Sequence, residues 1–184
     1  MILPRLLLAA LLAGATSACL AQAAAAPATQ PRFEPPVRVP ADIASFFTGE
    51  WSGRGQFASG RPIEADVSFH PELDGQWLQY RHTDRAPNKY KALGMWGIET
   101  ASHKLVMTLN DSSGTARTFT SDGWAGGALA FARTVSREPL REERFTFSRL
   151  SDNSFGMVFE VRADDKPWRM IDQLVFDRVA PAGR

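Results

Sequence analysis

The most informative fold signal in the chain is the seven-residue stretch Gly49-Glu50-Trp51-Ser52-Gly53-Arg54-Gly55. It separates a short Phe-containing segment from a long run of strand-like segments. A glycine two residues before Trp51 lets the chain turn sharply out of a short helix into a first strand. The tryptophan itself is large enough to plug one end of a closed barrel. The stretch therefore predicts a helix over 41–47, then a strand that carries an inward-facing tryptophan.

Beyond this stretch the apolar residues recur with a period of two. In segment 62–70, Ile63, Ala65, Val67 and Phe69 alternate with polar residues, as expected for a strand with one buried face. Short polar turns such as 111–114 follow at intervals of about ten residues and are short enough to join antiparallel neighbours. They delimit further predicted strands at 76–84, 90–99, 104–110, 115–121, 128–135, 141–150, 155–163 and 168–179.

These connections are short and include no long crossover. We therefore predict an all-β fold, a single antiparallel up-and-down β-barrel of about ten strands with a short N-terminal helix, because closure removes the exposed strand edges. A Greek-key sandwich of two sheets remains the alternative at this point.

The N-terminal region predicts export and a tether rather than a folded domain. Residues 1–23 combine a charged start with an apolar run that is too short to span a bilayer, as in a signal peptide. Residues 21–23 fit ordinary cleavage, whereas 16–19 resemble a bacterial lipobox that would leave Cys19 lipidated. Both forms stay open, and both predict the bacterial periplasm or cell envelope. Residues 24–40 read as a disordered Pro- and Ala-rich linker, and 41–184 as the barrel domain.

Charge and cysteine content limit which partners and which covalent cross-links the chain can have. The chain has 21 basic and 20 acidic residues and a net charge of +1, with the charges scattered, so we predict no nucleic-acid partner. Cys19 is the single cysteine, so the barrel domain has no disulfide and must be stabilised by packing. Membrane contact is expected solely through a lipid on Cys19. The sequence does not determine the oligomeric state.

Three motifs carry a family resemblance. They are the Gly49-x-Trp51-x-Gly53-x-Gly55 opening, the hairpin segment Asp74-Gly75-Gln76-Trp77-Leu78-Gln79-Tyr80-Arg81, and the terminal Leu174-Val175-Phe176-Asp177-Arg178. The chain resembles the lipocalin-like (calycin) superfamily, and within it bacterial exported proteins of unknown function that are distantly similar to nitrobindin. The resemblance implies that a basic side chain from the last strand covers the first-strand tryptophan. Gly49, Trp51 and Arg178 match this closure of the barrel end.

The same resemblance raises the question of haem. Nitrobindin-like proteins hold haem through a histidine near the C-terminal end of the barrel. The histidines of this chain are His70, His82 and His103, and none follows residue 103. Methionine alone more often fills core gaps than ligates a metal. We therefore predict neither haem nor a metal site, and the cofactor stays unknown.

Polar residues inside apolar strands point to a ligand, because a barrel interior holds such groups when they are paired, hydrated or in contact with a ligand. Together with one aromatic residue, they form the predicted binding set, which consists of Tyr80, His82, Trp96, Asn110, Arg117 and Gln173. The inward face of the strand at 76–84 carries either Leu78, Tyr80 and His82 or Trp77, Gln79 and Arg81, and its sequence alone does not decide between them.

The predicted function is non-catalytic binding of a small, mostly apolar molecule inside the barrel. Two other functions remain open. One is an envelope enzyme, an isomerase or hydrolase, with Tyr80, His82 or Asp172 as acid or base. The other is a protein-interaction module whose barrel is filled by its own side chains.

Overall fold

The computed structural model describes residues 37–180. The predicted signal peptide, Cys19 and the linker up to residue 36 lie outside the described residues. Within the described part, no helix is long and apolar enough to cross a membrane. One helix, α1 (Ala41–Phe47), precedes eleven strands, which are β1 (Gly49–Phe57), β2 (Pro62–Glu72), β3 (Trp77–Asp84), β4 (Lys91–Ile98), β5 (Leu105–Asp111), β6 (Ala116–Ser121), β7 (Trp124–Ala125), β8 (Ala128–Arg137), β9 (Leu140–Ser151), β10 (Ser154–Ala163) and β11 (Arg169–Arg178).

The strands form one closed antiparallel sheet. Each long strand pairs with its neighbours in sequence, and β1 pairs with β11. The ring closes where Thr120 of β6 pairs with Ala132 of β8, while the two-residue β7 forms a small hairpin with β8. The prediction of a closed barrel of ten long strands with a short leading helix is confirmed, and the sandwich alternative is wrong.

The barrel half next to α1 is filled with aromatic side chains. Phe47 of α1 is fully buried, and its ring centroid lies 5.0 Å from that of Phe69, 5.1 Å from Trp96 and 5.4 Å from Phe155. Such edge-to-face and tilted contacts fill space well and add to the free energy gained by burial. This half of the barrel is a solid core.

Trp51 and Arg178 close this end. The Arg178 guanidinium lies 4.0 Å from the centroid of the buried Trp51 indole and donates hydrogen bonds to the carbonyl oxygens of Thr48 and Phe46. The indole Nε1–H donates to the Phe47 carbonyl oxygen at 2.8 Å. One arginine and one tryptophan thus satisfy carbonyl groups at the end of α1, where the helix leaves them without intrahelical partners.

Two glycines of the opening stretch allow this close approach. Gly49 has a φ of +125°, and a Cβ there would lie 3.0 Å from Arg178 Nη1. A Cβ on Gly55 would overlap the backbone carbonyl of Gln173 on the paired strand β11. The first glycine permits the turn from α1 into β1, and the second permits tight pairing of β1 with β11.

Candidate functional site

A cavity of about 340 Å³ occupies the barrel half away from α1. It lies where β1 and β3 end and where β2, β4 and β11 begin, which is the same end of an antiparallel barrel. Its walls are mostly apolar and include Ile63, Ala92, Leu109, Phe145, Met157 and Leu174. Nine polar side chains also line it, namely Arg61, Tyr80, His82, Asp84, Asn88, Lys89, Tyr90, Arg117 and Asp172.

Strand β3 directs three of these polar groups inward. Leu78, Tyr80, His82 and Asp84 are buried on its inner face, whereas Arg81 is exposed on the other. The structure therefore resolves the choice that the sequence left open for this strand. Leu78 belongs to the filled half, and the three polar residues after it continue along the same face into the cavity.

These three residues form a hydrogen-bonded chain. His82 Nε2 lies 2.8 Å from Asp84 Oδ1, and His82 Nδ1 lies 3.1 Å from the Tyr80 hydroxyl oxygen. Because an ionised carboxylate can only accept, Nε2 donates to Asp84 Oδ1, and Nδ1 shares a hydrogen bond with the Tyr80 hydroxyl whose direction depends on the tautomer. Burial raises the pKa of Tyr80 well above its usual value, so the phenol keeps its proton. The chain fixes the His82 ring at the cavity surface.

Arg117 anchors a second polar group on the wall formed by β5 and β6. Its Nη2 donates to Asp111 Oδ2 at 2.8 Å and to the Tyr90 hydroxyl oxygen at 3.0 Å. Burial raises the pKa of Asp111, but hydrogen bonds from Ser113 and Thr115 outweigh this effect and hold the pKa below its usual range. The carboxylate is therefore ionised at neutral pH and pairs with the arginine.

Tyr90 completes this group. Burial is the main reason that its pKa rises to about 12. The Tyr90 ring lies 5.7 Å from the His82 ring in an edge-to-face arrangement, so it links the two polar groups across the cavity. Both groups consist of side chains that hold one another in place, which keeps the polar part of the wall rigid.

Asp172 differs from these groups. Burial raises its pKa from 3.8 to about 6, and the nearby Asp84 carboxylate adds to this rise, whereas His82 and Arg117 lower the pKa. Among the described residues, the Asp172 carboxylate takes part in none of the hydrogen bonds or ion pairs that hold the neighbouring polar groups. It faces the cavity directly.

The raised pKa of Asp172 predicts a pH dependence of stability. The folded state holds the proton more tightly than the unfolded chain, so its ionisation lowers the free energy of unfolding as the pH rises from about 4 to about 6. We expect Asp172→Asn to be more stable than the wild type at pH 7.5 by about 2 kcal/mol, and to match it near pH 3.5. Urea unfolding at a series of pH values measures this difference.

The matched control is Asp177→Asn, because Asp177 lies on the same strand with its side chain exposed. The free energy of unfolding of this variant should equal that of the wild type at every pH. A constant difference between Asp172→Asn and the wild type from pH 3.5 to 7.5 would contradict the assignment.

The structure separates the six residues predicted from the sequence to bind a ligand. Tyr80, His82 and Arg117 line the cavity. Trp96 is fully buried in the filled half, against Phe47 and Phe131, and does not line the cavity.

The interior position predicted for Asn110 and Gln173 is wrong. Both side chains are exposed on the outside of the barrel, because their neighbours Leu109 and Leu174 take the inward positions on β5 and β11. Polar residues beside buried leucines are the usual outer face of a strand, so they need no ligand to explain them.

Sequence reasoning missed Asp84 and Tyr90 as members of the site. Asp84 continues the period of two from Tyr80 and His82. The alternation therefore predicts that Asp84 faces the cavity once it is known that Tyr80 and His82 point inward. Tyr90 immediately precedes β4 and continues the period of two of the buried Ala92 and Trp96, so the alternation of the predicted strand 90–99 could also have found it.

The side chains around the cavity do not fit haem ligation. His82 is the histidine that lines the cavity, and both of its ring nitrogens are engaged in hydrogen bonds. Strand β11 contributes Ile171, Asp172 and Leu174 at this end. Within residues 37–180, no group of three or more His, Cys, Asp or Glu side chains is arranged to hold a metal ion.

These features define the class of protein: a closed antiparallel β-barrel with one half filled by aromatic residues and a cavity in the other. The chain matches no known family model and no curated protein sequence. Its fold is similar to the crystal structure of Rv2717c from M. tuberculosis, with a TM-score of 0.54 and 17% identity, covering 78% of this chain and 100% of that one. A de novo designed fluorescence-activating β-barrel gives a TM-score of 0.42 and 13% identity, covering 76% of this chain and 100% of the design. The first similarity supports the barrel fold.

Proposed function

We propose that this protein is an exported, lipocalin-like barrel that binds a small, mostly apolar molecule without converting it. The observation that carries the proposal is the cavity of about 340 Å³, whose apolar walls are interrupted by a few convergent polar groups. Small-molecule sites typically combine these two features. Export to the bacterial periplasm or cell envelope rests on the sequence of residues 1–23, and a lipid on Cys19 would anchor the barrel to a membrane.

The division of the barrel supports binding over a purely structural role. The half next to α1 is filled with aromatic side chains, whereas the other half leaves a cavity between its apolar walls. An interaction module with a solid barrel is disfavoured, because the interior is not filled along its whole length.

Acid–base catalysis is a second candidate, and the hydrogen-bonded chain of Tyr80, His82 and Asp84 is the observation that favours it. Such a chain can orient an imidazole toward a substrate. A carrier would return its ligand unchanged, whereas a proton-transfer site would exchange hydrogen of the ligand with deuterated solvent.

The binding proposal predicts that the protein still holds its ligand when it is purified from cells. Native mass spectrometry of the full chain, expressed with its own signal and purified from the cell envelope, should show an additional mass that is released on denaturation. Ala92→Phe should reduce the occupied fraction about tenfold or more, because Ala92 lines the cavity and a phenylalanine there fills it.

The control for this experiment is Leu93→Phe. Leu93 is the next residue on β4 and is exposed on the outside of the barrel, so the same side chain added there should leave the bound mass unchanged. The bare polypeptide mass in the wild type would contradict the proposal, and so would equal retention in Ala92→Phe.

A further inference from the structure

The Asp172 carboxylate is the one acidic group of the cavity wall, among the described residues, that the surrounding polar groups leave without a partner. On β11, Asp172, Leu174 and Phe176 point into the barrel, whereas Gln173, Val175 and Asp177 point out. Asp84, the other carboxylate that lines the cavity, is bound by the His82 ring. An acceptor in this position is available to a molecule inside the cavity.

The positively charged groups nearby are already engaged or lie at the surface. Arg117 on β6 is held by Asp111 and the Tyr90 hydroxyl. Arg61, between β1 and β2, lies over the Phe57 ring with its guanidinium carbon 4.4 Å from the centroid. The titratable and charged groups that face Asp172 around the cavity are therefore Tyr80, His82 and Asp84 on β3, Lys89 and Tyr90 before β4, Arg117 on β6, and Arg61.

Aromatic rings flank Asp172 on both neighbouring strands. It pairs with Phe57 of β1 and with Phe159 of β10, and all three residues line the cavity. Directly paired residues project from the same side of a sheet. The Phe159 ring is stacked on Phe145, with 4.5 Å between their centroids, so one aromatic wall extends from the carboxylate into the cavity.

An unpaired carboxylate beside aromatic rings suits one kind of ligand. Ionised carboxylates in apolar surroundings are unfavourable unless an opposite charge compensates them. An ammonium group supplies that charge and donates hydrogen bonds to the carboxylate. The hydrocarbon part of such a ligand would contact the apolar walls.

We propose that the cavity selects a small hydrophobic amine, whose ammonium group pairs with Asp172 between Phe57 and Phe159. This inference rests on the proposed binding function and specifies the chemical class of the ligand. Asp172 contacts the ligand directly, whereas Tyr80, His82 and Asp84 line the same cavity from β3.

The test compares two probes that differ in one terminal group, 4-phenylbutylamine and 4-phenylbutan-1-ol. Isothermal titration calorimetry with the full chain at pH 7.5 should give an affinity for the amine about tenfold or more above that for the alcohol. In Asp172→Asn this preference should fall to within about twofold. Asp177→Asn, which removes an exposed carboxylate from the same strand, should keep it.

A change of pH provides a second readout. At pH 5 the carboxyl of Asp172 is largely protonated, since its pKa is about 6, so the preference for the amine should decrease in the wild type and not in Asp172→Asn. Equal affinities for both probes in the wild type at pH 7.5 would overturn the inference, and so would a preference that survives in Asp172→Asn.

The failure of this inference is distinguishable from failure of the proposed function. If both probes bind equally and Ala92→Phe removes both, the cavity binds small molecules but does not select amines. If neither probe binds, the amine inference is overturned, while the mass measured on protein from the cell envelope still decides the proposed function by itself.

Discussion

Replacing Trp51 by alanine is expected to lower the free energy of unfolding by about 3 to 5 kcal/mol. The indole is 1% exposed and packs edge-to-face against Phe155, with 4.8 Å between the ring centroids. Its removal leaves a large void, because a closed barrel cannot collapse around the missing side chain. The change also removes the partner of the Arg178 guanidinium and the hydrogen bond to the Phe47 carbonyl oxygen.

Urea unfolding followed by circular dichroism measures this effect, with Trp51→Phe as a variant that keeps part of the volume. Trp168→Ala is the matched control. Trp168 lies outside the core, where the guanidinium groups of Arg144 and Arg162 lie within 4.3 and 4.7 Å of its ring. We expect this control substitution to lower the free energy of unfolding by no more than about 1 kcal/mol. A similar loss in both tryptophan variants would show that Trp51 does not hold the barrel end together.

Replacing Arg117 by methionine is expected to lower the free energy of unfolding by about 3 kcal/mol. Methionine keeps much of the volume but removes the charge that pairs with Asp111, whose side chain is 3% exposed. The low pKa of Asp111 means that this carboxylate stays ionised at neutral pH, so the variant would bury a carboxylate that keeps its hydrogen bonds from Ser113 and Thr115 but has lost its opposite charge. Urea unfolding at pH 7 measures the loss.

Two further variants test this explanation. Arg117→Met combined with Asp111→Asn should recover part of the stability, because the double variant no longer buries an unpaired charge. Lys104→Met breaks the pair with Asp122, in which both side chains are solvent-exposed, and should have a much smaller effect. Stability of Arg117→Met within about 0.5 kcal/mol of the wild type would contradict the assigned role of the ion pair.

The contents of the barrel were harder to predict than the barrel itself. The sequence predicted a ligand cavity and left a filled barrel open, and the structure contains both features, one in each half. Trp96 and Tyr80 lie on paired strands, β4 and β3, yet the first is in the core and the second lines the cavity. Which half a residue joins depends on how the large side chains of ten strands meet at the centre, and no single strand contains that information.

Asn110 and Gln173 were misplaced because the sequence did not show which face of their strands points into the barrel. Strand β5 has apolar residues on both faces, with Val106 and Met107 both buried, so its alternation does not indicate whether Asn110 faces inward. In β11, Val175 is an exposed apolar residue between the buried Leu174 and Phe176, which blurs the pattern around Gln173 in the same way. A period of two shows which residues share a face, but the face that becomes the interior is fixed by pairing with other strands.

Local patterns in the sequence were sufficient to predict the barrel. Alternating residues, regular polar turns and the Gly49–Gly55 stretch are local signals, and their physical causes, strand pleat, turn conformation and close backbone approach, act within a few residues. The candidate site, in contrast, depends on contacts between strands that are far apart in the sequence. The pairing of Arg117 with Asp111 and Tyr90, and the exposure of Asp172 to the cavity between Phe57 and Phe159, bring together groups from strands that are distant in the chain. The chemistry of the cavity depends on these distances and on burial, which exist once the sheet has closed.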